Sequence, residues 1–155
     1  IMIALRLVRL IEHHSDQLTE ELMRKLDACD KCRELRMVPR AEIEERAREI
    51  YRQLSEWLIN KTERDIERTY RQVARRRFKQ GVPLSAVYWA IMTTKEHLWD
   101  YLIHEGATES PLDLQAGFEL IRLMEQFFVT AIYYMSLEYE ELPGEGAKKA
   151  RAVAS

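Results

Sequence analysis

Residues 110–144 read SPLDLQAGFELIRLMEQFFVTAIYYMSLEYEELPG, and this stretch decides the fold. Ser110 is a good N-cap, Pro111 suits a first helical position, and Asp113 lies near the positive end of the helix dipole. The helix so begun can continue some thirty residues to about Leu142, where Pro143-Gly144 ends it. It is apolar on more than one side: Leu120, Ile121, Leu123, Met124, Val129 and Leu137 accompany the aromatic pairs Phe127-Phe128 and Tyr133-Tyr134. Such a helix must be buried on more than one side. One neighbour is the rest of the domain, and the other is expected to be a second copy of the chain. Phe127, Phe128, Ile132, Tyr134 and Met135 are the candidate dimer-interface residues.

Working outward, Gly and Pro are absent from residues 1–38 and again from 40–80, leaving windows free of helix breakers. Leu5, Val8, Ile11, Leu18, Leu22 and Leu26 make one stripe, so a first helix is expected from Met2 to Cys29. Ser15 and Asp16 offer a cap for a break within it. A polar connection, Asp30 to Val38, leads to Pro39 and a second helix to Asn60. Thr62 and Asp65 form a capping-box variant opening a third, which Gly81 closes, and a fourth runs from Leu84 to Glu105. The expected fold is all-α: five helices in a bundle or globin-like cluster, with long first and last helices. Residues 1–142 make one domain and 143–155 a linker or tail.

Composition narrows the function classes. With 155 residues, 46% hydrophobic and 32% charged, the chain is one globular domain. A net charge of −2 argues against a dedicated nucleic-acid binder, although it cancels a basic first half against an acidic second. Residues 1–80 hold 19 basic and 15 acidic groups, and residues 81–155 hold 5 and 11. Two cysteines cannot build a disulfide framework. Arg6 and Arg9 spoil the apolar start as a signal peptide, and no uncharged stretch is long enough for a membrane span. A cytoplasmic protein without membrane insertion is expected.

Chemistry-bearing residues are few. Cys29-Asp-Lys-Cys32 has the spacing of half a zinc site or a redox pair, and only His13 or His14 would supply more ligands. The plainer reading makes Cys29 a member of the first stripe and Cys32 a reduced thiol, so no metal or other cofactor is expected. No Glu-x-x-His or HExxH occurs. A pocket, if the fold holds one, should be lined by Tyr88, Trp89, Met92 and His97. His97 lies on the border of the fourth stripe, where histidine is a hydrogen-bonded boundary residue, a ligand contact or a pH-sensitive group. Arg64, Arg68, Arg71 and Arg75 climb the third helix toward the end that favours cations. The helix after Pro83 offers Tyr88, Trp89, Ile91 and Met92 where a recognition helix needs polar and basic side chains. No phosphate loop, GxSxG or kinase motif is present, so no enzyme is expected.

The string Ala74-Arg75-Arg76-Arg77-Phe78-Lys79-Gln80-Gly81-Val82-Pro83-Leu84-Ser85 resembles the N-terminal domain of RsbR/RsbRD-type proteins, the stressosome co-antagonists, and similar input domains of bacterial histidine kinases. Leu10-Ile11-Glu12-His13-His14-Ser15-Asp16-Gln17-Leu18 and Lys95-Glu96-His97-Leu98-Trp99-Asp100-Tyr101-Leu102 share the likeness, which spans about residues 5–140. The resemblance implies a helical, globin-like sensory domain that dimerises, lacks haem and signals to a C-terminal output, often a STAS domain or a kinase. The chain has no room for either output after Leu142, which suggests an excised input domain or a stand-alone protein working through partners. The expected function is a non-enzymatic sensory or regulatory input domain. The alternatives are a metal- or redox-responsive sensor using Cys29 and Cys32, and a ligand-free helical adaptor.

Overall fold

Six α-helices carry the fold in a computed structural model that describes residues 2–105 and 111–143. They are α1 (Met2–His13), α2 (Ser15–Asp27), α3 (Arg40–Arg52), α4 (Glu63–Lys79), α5 (Leu84–Glu105) and α6 (Pro111–Glu141). A 3-10 helix, Asp30–Met37, joins α2 to α3, and a single π turn, Glu56–Asn60, precedes α4. No strand occurs among the described residues. The protein is all-helical, as its periodicity demands.

The long first helix expected from Met2 to Cys29 is two helices. His14 leaves helical geometry (φ −102°, ψ 21°), and its Nδ1 reaches the Leu10 carbonyl oxygen at 2.9 Å. The anticipated Ser15 or Asp16 cap does not form, because the capping position is His14 and no side chain caps there. The second helix is also interrupted, at Gln53. Beside that break the Glu12 carboxylate of α1 accepts from the Ser55 amide at 3.0 Å and its hydroxyl at 2.8 Å. A side chain inserted at that position offers the backbone an alternative to the helical ladder, and the chain continues as the π turn.

Other boundaries follow their local chemistry. Thr62 and Asp65 make a reciprocal capping box: the Thr62 amide donates to the Asp65 carboxylate at 2.9 Å and the Asp65 amide to the Thr62 hydroxyl at 3.2 Å. At the other end of α4, Gly81 has φ +81°, its amide donates to the Phe78 carbonyl, and the Val82 amide donates to the Arg77 carbonyl, both at 3.0 Å. This Schellman closure needs a left-handed residue, which only glycine supplies without strain. The link read as a polar connection is the 3-10 helix, whose Cys32 and Leu35, with Val38 just beyond, are buried at a spacing of three, the period of that helix.

Helix α6 is the spine. It lies along α4 and also packs on α1 and α5, while α2 pairs with α3 and α5. Leu120, Met124, Phe128 and Met135 of α6 are fully buried, together with Ile11, Leu22, Tyr51, Leu54, Tyr70 and Leu98. Trp57, Tyr70, Phe127 and Phe128 interlock with ring centroids 5.0 to 5.7 Å apart. Gly117 lies within α6 on its buried side. Opposite charges join the two halves of the chain: Arg71 and Arg75 of α4 donate to Glu138 of α6 at 3.1 and 3.0 Å, and Arg71 also reaches Glu141 at 2.9 Å. The Tyr139 hydroxyl donates to the Val82 carbonyl at 2.7 Å, tying the end of α6 to the α4–α5 turn.

Candidate functional site

Two polar stripes face each other across α2 and α5. Gln17, Glu21, Arg24 and Lys25 recur at helical spacing on α2, and His97, Asp100, Tyr101 and His104 do so on α5. They enclose a cleft of about 620 Å³. Lys25 and Asp100 bridge it with an Nζ–Oδ2 contact of 3.1 Å. At one side the Tyr101 hydroxyl lies 3.3 Å from His14 Nδ1, so the residue that breaks the first helix also faces α5.

His97 is the buried member of this cleft, 4% exposed. Its Nε2–H donates to the Leu18 carbonyl at 3.1 Å, and the Glu21 carboxylate is 3.5 Å from the same nitrogen. That bond fixes the tautomer, leaving Nδ1 an acceptor, and Nδ1 has no partner. Burial pushes the imidazole below its ordinary pKa and Lys25 adds to this, outweighing Glu21, the Leu18 bond and Asp100. His97 is therefore neutral at pH 7. Tyr101 is held above the usual phenol range, by burial first and then by Glu105 and Glu21.

Of the four residues expected to line a pocket, His97 alone lines this cleft. Tyr88 and Trp89 are exposed, and Met92 is half-buried. The Trp89 ring instead lies under Lys31 Nζ, 3.9 Å from its centroid. The charged neighbours of His97 were missed because i, i+4 polar positions on a helix usually signify nothing beyond solvent. Their presence on both sides of one buried histidine was the available signal. A second cavity, about 60 Å³ and largely apolar, lies among Leu22, Ile50, Val87, Ile91 and Met135.

The metal candidates do not converge. His13 and His14 sit at the N-terminal end of α2 and Cys29 lies beyond its C-terminal end, so the helix itself separates them by roughly 20 Å at 1.5 Å per residue. Among the described residues no group of three or more His, Cys, Asp or Glu is placed to hold a metal ion.

The candidate dimer-interface residues divide by burial. Phe127, Phe128 and Met135 are core residues, 3%, 1% and 1% exposed, and Ile132 and Tyr134 are half-buried. Phe127 packs on Trp57 of the π turn and Tyr70 of α4, and Met135 lines the small apolar cavity with Val73 of α4 and Val87 of α5. The outward side carries a different apolar row, Leu114, Phe118, Val129 and Tyr133, all exposed and spaced by four, eleven and four residues. That spacing keeps all four on one face of the helix.

Compared with protein-family models, residues 14–141 match that of the RsbT co-antagonist protein rsbRD N-terminal domain. The chain belongs to this family. The rsbRD N-terminal domains are stressosome-type regulatory input domains and not a known enzyme family. Comparison with curated proteins and comparison with solved structures each find no match. The match takes in the whole His97 cleft and all of α6, so both features belong to the rsbRD N-terminal unit. No helix among the described residues is long and apolar enough to cross a membrane.

Proposed function

We propose that this rsbRD N-terminal domain is a non-enzymatic, cytoplasmic sensory unit that works as a homodimer through the outward face of α6. The observation that carries this reading is the exposed row of Leu114, Phe118, Val129 and Tyr133 on a helix whose opposite side is the core of the domain. Residues 1–142 act as the folded unit, with a globin-like grouping of helices, and 143–155 lead to an output domain or lie free for a separate STAS- or kinase-type partner. The His97 cleft is the sensory site: Lys25 and Asp100 offer both charges, and the unpartnered Nδ1 offers an acceptor to a polar ligand. A ligand that spreads α2 from α5 shifts α5 against α6, and α6 carries the change across the dimer and toward its C-terminal end.

The test joins the chain to a STAS domain and follows phosphorylation of that domain by its kinase. Phe118→Glu combined with Val129→Glu is expected to change the phosphorylation rate several-fold while leaving the helical circular-dichroism signal intact. An unchanged rate in a folded, monomeric variant would contradict the reading.

A further inference from the structure

Neither Cys29 nor Cys32 lines the His97 cleft. Cys29 caps the 3-10 helix in extended geometry (φ −93°, ψ 111°), and the Cys32 amide donates to its carbonyl at 3.2 Å. Residues three apart eclipse in such a helix. The two sulfurs are accordingly 3.1 Å apart. Cys29 is half-buried and reachable, whereas Cys32 is 2% exposed behind it.

We propose that Cys29 and Cys32 form a reversible dithiol–disulfide site whose oxidant is a hydroperoxide. The Cys29 thiolate attacks the outer peroxide oxygen, the O–O bond breaks, and Cys29 becomes a sulfenic acid. The departing oxygen takes up the proton that the Cys29 thiol lost. The Cys32 sulfur then attacks the Cys29 sulfur, the S–O bond breaks, and hydroxide leaves with the Cys32 proton as water. The two sulfurs give up two electrons and the hydroperoxide is reduced, so hydrogen peroxide yields two waters.

The division of labour follows from burial. The Cys32 thiol is pushed up to about 12, by burial first and then by the hydrogen bond and charge of Cys29. It therefore stays protonated and waits, while the more accessible Cys29 meets the oxidant. Closing the pair to a bond of about 2.05 Å moves the sulfurs by roughly 1 Å. That movement falls on a helix packed against α5, to which it is also joined by Lys31, whose Nζ lies 3.9 Å from the Trp89 ring centroid. Because α5 also carries His97, oxidation reaches the sensory helix by a second route.

The experiment treats the fully reduced, intact chain with a small excess of hydrogen peroxide and measures its mass without reductant. The expected product is lighter by about 2 Da, the two hydrogens of a disulfide, has no alkylatable thiol, and regains both thiols with dithiothreitol. Cys32→Ser is expected to stop at a Cys29 sulfenic acid trapped by dimedone, and Cys29→Ser to leave Cys32 unreacted over the same time. Two alkylatable thiols after treatment would overturn the proposal. So would separate gains of about 32 Da per cysteine, the mark of sulfinic acids, with no disulfide stage.

Discussion

His97 shows how one side chain makes stability depend on pH. In the unfolded chain it titrates near its ordinary value of about 6.5, and in the fold burial and Lys25 hold it lower. Below about pH 6.5 the unfolded state therefore binds more protons, and stability falls as pH falls, levelling once the folded imidazole itself protonates. Chemical denaturation between about pH 7.5 and 5 should show this loss, and His97→Gln, which keeps a donor near the Leu18 carbonyl, should remove most of it. Glu42 governs a second, more acid window. Its carboxylate accepts from Arg76, from Arg77 at 2.6 Å and from Gln80 at 3.3 Å, which holds it down at about 2, Arg76 contributing most. Stability from this cluster is complete above the ordinary carboxylate range and is lost as pH falls through it toward about 2. Glu42→Gln should flatten that acid limb of the unfolding profile.

At the scale of elements, the ends of α4 are the sharpest cases. Gly81→Ala should destabilise the protein by about 1 kcal/mol in denaturant melts, because an L side chain at φ +81° is strained although its Cβ would meet only Met37 Cε, at an ordinary contact distance of 3.7 Å. Thr62→Ala should cost about as much, by removing one half of the capping box. Glu138→Ala should cost somewhat more, about 2 kcal/mol, since a buried carboxylate accepts charge-assisted bonds from Arg71 and Arg75; Arg71 keeps Glu67 and Glu141 and Arg75 is half-exposed, which limits the loss. Both ends of α4 were legible in the residues, because capping and left-handed closure are local. A break near Ser15 was also legible, although the residue that makes it is His14, through its bond to the Leu10 carbonyl; the π turn was not, because it depends on Glu12 and Ser55 meeting across elements. The 3-10 helix was legible in principle. Cys29, Cys32, Leu35 and Val38 recur every third residue, a period easily passed over when only 3.6 and 2 are sought.

For the whole molecule, the excess apolar character of residues 110–144 pointed to two burial surfaces, and α6 has one buried side and, opposite it, an exposed apolar row. Which residues belong to which surface was not legible, since a helix apolar over most of its circumference has no phase to read. The structure gives Phe127, Phe128 and Met135 to the core and leaves Leu114, Phe118, Val129 and Tyr133 outward. Likewise His97 was recognisable as a boundary histidine, but its cleft is made by α2, which only the tertiary fold brings to it. Whether the outward row of α6 joins two copies is the point on which the sensory reading turns. Sedimentation velocity of the intact chain across about 1 to 100 μM measures this directly, a range in which an interface of ordinary micromolar or tighter affinity is populated. The expected species is a dimer that Val129→Glu with Tyr133→Glu converts to a folded monomer. A single monomeric species at every concentration, in the unsubstituted chain, would contradict it.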